Sequence, residues 1–425
     1  MGWFPILSAP ACGPDRPSLL DLPARLGGAR HNHRMPNRYA VASRADVPPF
    51  HVMDLLAAGQ ERQRTHGDLL DLVAGQPSTG APRPVREEAM RLLGGADPLG
   101  YTVATGIPRL REAIAGHHQR VHGLAVDPDD VVVTTGSSGG FLLAFLAAFE
   151  AGDRVAMARP GYPCYRNVLT ALGCEVVEID TGPETRFQPT LVQLTEIDDL
   201  AGVVVASPAN PTGTMLLPAE LAAIATWCEE RAVQLVSDEI YHGIEYATLD
   251  GAGPTARSAW ETSREAIVFS SFSKFFSMTG WRVGWMLVPP RLRRDVDVLA
   301  GNFTICPPAI AQHAAVRAFD EASYDELRGH VARYAANRAL LLDGLPRLGL
   351  TGLAPADGAF YVYADVGHLT EDTMAWTREL LGRTGVAVAP GVDFDTRAGH
   401  RFVRLAFAGP TADIERALER LSTAW

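Results

Sequence analysis

The chain has 425 residues, 47% of them hydrophobic and 20% charged, so it is too long for one small core and too apolar for disorder; two or three packed domains are expected. Its 38 basic and 49 acidic side chains leave a net charge of -11, which excludes a general attraction to nucleic acid or anionic lipid but leaves room for a local anion pocket. Five scattered cysteines (Cys12, Cys164, Cys174, Cys228, Cys306) form no C-x-x-C pair, which argues against a zinc site or disulfide framework and for a reducing, cytoplasmic setting.

Residues 1–34 are rich in proline and lack a hydrophobic period, so they read as a flexible arm. Within them, Leu7 to Cys12 hints at a lipoprotein cleavage site but lacks a charged start and a long apolar core, so export is not expected. No apolar run reaches the roughly 20 residues of a membrane span. Beyond Met35 to Val47 the chain alternates short β-branched runs with helical patterns, the signature of a mainly parallel sheet covered by helices. The runs are Val131–Thr135, Arg154–Ala158, Glu175–Asp180, Gly202–Ala206, Val233–Ser237, Ile267–Ser270 and Val283–Val288. Gly140–Glu150 and Pro218–Arg231 have apolar residues at helical spacing.

Ligands of such sheets collect beyond the carboxyl ends of the strands. There the sequence places Gly-Ser-Ser-Gly-Gly, Arg-Pro-Gly-Tyr-Pro, Ser-Pro-Ala-Asn-Pro-Thr-Gly, Asp-Glu-Ile-Tyr and Ser-Phe-Ser-Lys in turn. Each alone is ordinary turn chemistry; five at one sheet edge suggest a site. Lys274, between aromatic residues at a strand end, suits a desolvated nucleophilic amine, although a lone lysine there more often snorkels over apolar neighbours. Arg282, eight residues on, is either an ion-pair partner or an anion clamp. Gly136 to Gly140 lead from a strand into a helix whose free N–H groups suit a phosphate, but the spacing is neither a dinucleotide fingerprint nor a P-loop.

In order and spacing, Ser-Pro-Ala-Asn-Pro-Thr-Gly, Ser-Asp-Glu-Ile-Tyr and Ser-Phe-Ser-Lys with Gly-Trp-Arg-Val-Gly downstream resemble the class I/II aminotransferases among the fold-type I pyridoxal-phosphate enzymes. The resemblance runs from about Val47 to the C-terminus. It implies an α/β fold with a mainly parallel central sheet and a smaller α+β domain built from both chain ends. The expected division is 35–75 for the first part of the small domain, 76–305 for the cofactor-binding domain, and 306–425 for a linker helix and the rest of the small domain.

The resemblance also implies roles. Lys274 would form the Schiff base with pyridoxal 5'-phosphate and then move the proton at Cα. Asp238 would pair with the pyridine nitrogen, while Asn210 and Tyr241 would donate to the phenolic oxygen. Tyr162 would stack on the ring, with Tyr165 close enough to compete. Ser137, Ser138, Gly139, Ser271 and Arg282 would hold the phosphate, joined by Tyr101 from the second subunit of a homodimer. Arg404 would grip the substrate α-carboxylate, and Gly75 would let the backbone approach the substrate. The strand Arg401–Phe407 puts Phe402 and Arg404 on one face of a regular pleat, so the period alone leaves the direction of Arg404 open; Arg401 reads as a solvated strand-end charge.

The implied activity is transfer of an amino group between an L-α-amino acid and a 2-oxo acid. A β-eliminating C–S lyase is the alternative that keeps the same residues, and a non-catalytic cofactor-binding regulator the more distant one. Gly301–Pro308 carries no basic residue, and none lies between Arg294 and Arg317, so neutral side chains are favoured over aspartate unless a cation such as Arg109 or Arg166 reaches the substrate.

Overall fold

Eleven strands, in the computed structural model of residues 41–246 and 255–423, build two sheets. The arm expected over residues 1–34 lies outside the described residues. In chain order the strands are β1 (Leu70–Leu72), β2 (Val131–Thr134), β3 (Arg154–Arg159), β4 (Glu175–Asp180), β5 (Leu200–Ala206), β6 (Gln234–Asp238), β7 (Ile267–Ser271), β8 (Gly284–Leu287), β9 (Tyr361–Asp365), β10 (Val386–Pro390) and β11 (Phe402–Ala406).

The larger sheet has the order β2-β8-β7-β6-β5-β3-β4. Successive residues along each strand go to opposite faces. Val131, Val133, Val203, Val205, Leu235, Val268 and Trp285 enter one core layer, and Val132, Val155, Val204, Val236, Phe269 and Met286 enter the other. Both faces are therefore covered, which explains why these strands read as continuous apolar runs rather than alternating ones. Helix Pro218–Glu230 packs Leu221 and Ile224 into the first layer. Helix Gly136–Ala148 packs Phe141 and Phe145 into the second.

The pairs β4/β3, β3/β5, β5/β6 and β6/β7 are parallel, as the alternation of strand and helix predicts. Strand β8 departs from this pattern and runs antiparallel to both β7 and β2. The link from Ser271 to Gly284 holds only a short helical turn, Thr279–Trp281, and is too short for a crossover, so the chain can return only antiparallel. That reversal places Gly284 opposite both Ser271 and Thr134. A Cβ at Gly284 would stand 3.1 Å from the Ser137 nitrogen, so the glycine lets β8 lie against the start of helix Gly136–Ala148.

The smaller sheet has the order β1-β10-β11-β9 and joins one strand from early in the chain to three from its last quarter. Strand β1 pairs parallel with β10, with Leu70 opposite Val386, and the other two pairings are antiparallel. Leu72, Val362, Val388 and Leu405 enter one apolar layer, while Val73, Tyr363, Ala389 and partly buried Phe402 face the other with Val52 and Leu55 of helix Val52–His66. No helix among the described residues is long and apolar enough to cross a membrane.

Phe145 is fully buried between Phe141 and Phe149, each at a centroid distance of 5.9 Å. Phe145→Ala should lower stability by about 3–5 kcal/mol through lost burial and the cavity left behind. Urea unfolding of the parent and variant measures this, and an unchanged midpoint would contradict the packing described.

Candidate active site

A cavity of about 230 Å³ gathers the ends of β5, β6 and β7, the start of helix Gly136–Ala148, and residues of the smaller sheet. Gly75, Ser137, Ser138, Tyr162, Asn210, Asp238, Tyr241, Lys274, Arg282 and Arg404 all line it, drawn from seven separate stretches of sequence. Among the described residues, Asp238 is the only carboxylate on its wall, and Lys274, Arg282 and Arg404 are the cations.

Asp238 is the last residue of β6 and is 4% exposed. It accepts from the Ile240 N–H at 3.1 Å and from the Tyr165 hydroxyl. Burial pushes its carboxyl up to about 6, against the opposing effects of the Tyr165 and Ile240 donors and of Lys274. Both Tyr162 and Tyr165 line the cavity; the Tyr165 hydroxyl is taken up by Asp238, and Tyr162 meets Tyr165 edge-on at 5.5 Å.

Lys274 follows β7 and donates from Nζ to the Gly75 carbonyl at 2.6 Å. Burial brings its amine down to about 8, reinforced by Arg404 and Arg282 and opposed by Asp238. The amine also sits 5.6 Å from the centre of the Tyr241 ring. The Tyr241 hydroxyl is 2.7 Å from that of Tyr361. A Cβ on Gly75 would come within 2.5 Å of the Tyr361 hydroxyl, so the glycine is what allows this backbone to reach the amine.

Arg404 lies on β11, 2% exposed, with its side chain turned toward the larger sheet. Nη1 donates to Asn210 Oδ1 and Nη2 to the Val73 carbonyl, each at 2.8 Å. The guanidinium lies over the rings of Tyr361 and Phe394, at 4.4 and 4.7 Å. Its Nε is buried with no hydrogen-bond partner among the described residues, an unmet donor that a carboxylate would satisfy. Arg401 instead pairs with Asp365 at 2.8 Å with its side chain half exposed, as expected of a strand-end charge.

Helix Gly136–Ala148 begins at the cavity with no side chain capping its first turn, so free N–H groups and the positive end of its dipole face the space beside Ser137 and Ser138. Arg282, in a left-handed conformation with φ 51°, packs its guanidinium against Gly136, where a Cβ would stand 2.5 Å from Nη2. This wall of uncapped N–H groups, two hydroxyls and an arginine suits the phosphate of pyridoxal phosphate, and the single buried carboxylate suits its pyridine nitrogen. The residues present fit that cofactor.

Three expected contacts are not on this wall. The Ser271 hydroxyl donates to the Val283 carbonyl at 3.3 Å and lies 3.0 Å from that of Ser273, and it is Ser273 that reaches the cavity. Gly139 lies on the inner side of the first helical turn, against Thr135. Tyr101 is 84% exposed and faces away from the cavity of its own chain. Arg166 pairs with Glu178 and Arg109 is exposed, so neither supplies a further cation to the wall. Sequence reasoning missed the apolar wall of Phe50, Val52, Met53 and Leu56, as well as Tyr361. The three-residue spacing of Phe50, Met53 and Leu56 was the available signal.

Residues 67–421 match the family "Aminotransferase class I and II". A valine–pyruvate aminotransferase of Mycobacterium tuberculosis is 64% identical over 384 residues, covering 90% of this chain and 98% of that protein. The crystal structure of an aminotransferase from the same organism superposes with a TM-score of 0.89 at 62% identity, covering 91% of this chain and 99% of that one. Aspartate aminotransferase from Thermus thermophilus with maleate gives a TM-score of 0.84 at 33% identity, covering 91% and 100%. With a cavity built for pyridoxal phosphate and relatives of this extent, the chain belongs to the class I and II aminotransferases and is a pyridoxal-phosphate-dependent enzyme that moves an amino group between an amino acid and a 2-oxo acid.

Proposed function

We propose that the preferred amino acids are neutral and aliphatic, valine and alanine among them, with pyruvate or a similar short 2-oxo acid as the partner. The observation that carries this reading is the composition of the cavity wall. Of its three cations, Lys274 and Arg404 serve the amino and carboxylate groups common to every substrate, and Arg282 lies beside the phosphate-binding helix. Among the described residues no cation is left for a side-chain carboxylate, whose burial without a partner is costly, whereas Phe50, Val52, Met53 and Leu56 offer apolar surface. The 64% identity to a protein named for valine and pyruvate supports the same choice.

When bound, pyridoxal phosphate supplies an electron-withdrawing ring that makes the Cα–H bond of the amino acid acidic. Arg404 binds the α-carboxylate, using the unmet Nε donor and a planar fork that a lysine lacks. Lys274 moves the proton at Cα; an amine with a pKa of about 8 both accepts and releases a proton near neutrality. Asp238, ionised above about pH 6, would keep a proton on the pyridine nitrogen, and the Tyr165 hydroxyl and Ile240 N–H hold its two oxygens in place. Asn210 and Tyr241 would donate to the phenolic oxygen, and Ser137, Ser138 and Arg282, which line the cavity at the start of the helix, would hold the phosphate. We further infer a cytoplasmic homodimer, in which the exposed Tyr101 reaches the phosphate of the other subunit.

Lys274→Ala should reduce transamination by at least about a thousandfold, since it removes the group that moves the proton. Circular dichroism and the melting curve should stay those of a folded protein, and near-parental turnover would overturn the assignment of Lys274. In steady-state assays kcat/KM for valine and alanine should exceed that for aspartate; aspartate ranking first would overturn the substrate reading.

Asp238→Asn separates function from stability. Because the folded carboxyl titrates near 6 rather than at the ordinary 3.8, the cofactor-free protein loses stability as pH rises through that window. The amide removes this penalty, so the cofactor-free variant should gain about 3 kcal/mol over the parent at pH 8 and nothing below about pH 4. Transamination by the loaded variant should fall by at least about a hundredfold, because an amide cannot hold the pyridinium charge. Melting curves across pH and turnover assays check the two halves independently.

A further inference from the structure

Helix Val52–His66 carries the apolar wall of the cavity, and its first turn has no cap from its own chain neighbours. The cap comes from the turn after β10. Asp393 Oδ1 accepts from the His51 N–H at 2.9 Å, and Oδ2 accepts from the Val52 N–H at 2.7 Å. Asp393 is 3% exposed, and its charge faces the positive end of the helix.

The same short turn serves Arg404. The Phe394 ring lies 4.7 Å from the Arg404 guanidinium, and the Phe394 carbonyl accepts from the Gly161 N–H at 2.9 Å, beside Tyr162. Asp395 locks the turn from the far side, accepting from the Arg397 and Ala398 N–H groups and pairing with buried Arg159. One turn thus sets two things: where Arg404 stands, and where the helix bearing Met53 and Leu56, with Phe50 just ahead of it, begins.

We propose that Asp393 is a positioning residue that sets side-chain selectivity by pinning the Phe50–Met53–Leu56 wall relative to Arg404. The inference rests on the neutral-substrate reading above. A substrate held at its α-carboxylate by Arg404 has its side chain measured against that wall. Alanine, with a single methyl, reaches it little, whereas the branched methyls of valine depend on it. With an amide in place of the Asp393 carboxylate, one of the two N–H groups loses its acceptor and faces an NH2 instead, the helix end loses its counter-charge, the first turn frays, and the wall moves while the proton-transfer groups stay in place.

The test uses Asp393→Asn holoenzyme with valine and alanine as amino donors. KM for valine should rise about tenfold with kcat within about twofold, while KM for alanine changes by less than about threefold. His51→Pro is a second variant that leaves Asp393 intact: it deletes one of the two donors at a residue whose φ of -64° already suits proline, and it should shift selectivity in the same direction. Hydrogen exchange at residues 50–56 should speed up in both variants. Equal losses with both amino acids, a fall in kcat alone, or unchanged selectivity alongside a lower melting temperature would each overturn the positioning role. A parent enzyme that turns over neither amino acid would overturn the substrate reading, and this inference with it.

Discussion

Everything in the site depends on taking the Lys274 amine out of water without giving it a full counter-charge. An ammonium buried beside two guanidinium groups and one carboxylate is disfavoured, which is why the amine titrates near 8 rather than at the usual lysine value. A surface lysine would stay charged and have no free electron pair to offer. The desolvation needs walls, and the walls come from both sheets: Asp238 and Tyr241 follow β6, whereas Arg404 and Tyr361 stand on β11 and β9. The chemistry is therefore a property of the junction between the sheets.

The junction is held by polar contacts that leave little slack. The Val73 and Gly75 carbonyls, just after β1, accept from Arg404 and Lys274 respectively. Asn210 Oδ1 accepts from Arg404. The hydroxyls of Tyr241 and Tyr361 meet at 2.7 Å. The Gly75, Asn210 and Tyr241 contacts each join a residue of one sheet or its loops to a residue of the other, while the Val73 contact fixes Arg404 within the smaller sheet, so the groups that bind substrate also align the two halves of the cavity. In a water-poor setting such bonds cost more to break than their exposed counterparts, because the partner is left without solvent to replace them.

The larger sheet was legible because its strands are buried on both faces, which makes each a compact apolar run bounded by turn residues. The end-of-strand rule then located Asp238, Asn210 and Lys274, all of which line the cavity. The same double burial hid the direction of Arg404: Val403 and Leu405 on one face and Arg404 on the other are all buried, so β11 shows no polar side from which orientation could be read. Ser271 and Ser273 differ only in which side of the strand end each faces, and a two-residue offset in a turn carries no period. The wall from helix Val52–His66 was missed because Phe50, Met53 and Leu56 are ordinary core letters until the fold brings them beside Lys274. The antiparallel course of β8 follows from a link length, which the runs alone do not express.

The adjacent carboxylates Asp238 and Glu239 show how far environment outweighs letter. Both are buried at the end of β6, and the alternation of the strand sends them to opposite faces. Glu239 accepts from the Ala259 N–H at 2.8 Å and the Ser237 hydroxyl at 3.0 Å, and burial pushes it up to about 8. Among the described residues no cation offsets its burial as Lys274 does for Asp238, and its basic neighbour His242, 3.6 Å away, is itself held well below its ordinary value by burial. Glu239 is therefore mainly a neutral acid near pH 7 and ties β6 to the segment beginning at Ser258. Asp238, faced by Lys274 and two hydrogen-bond donors, stays near 6 and so carries charge at neutral pH. One face of the strand end has become structural and the other chemical, and the difference lies in what the fold brings against each.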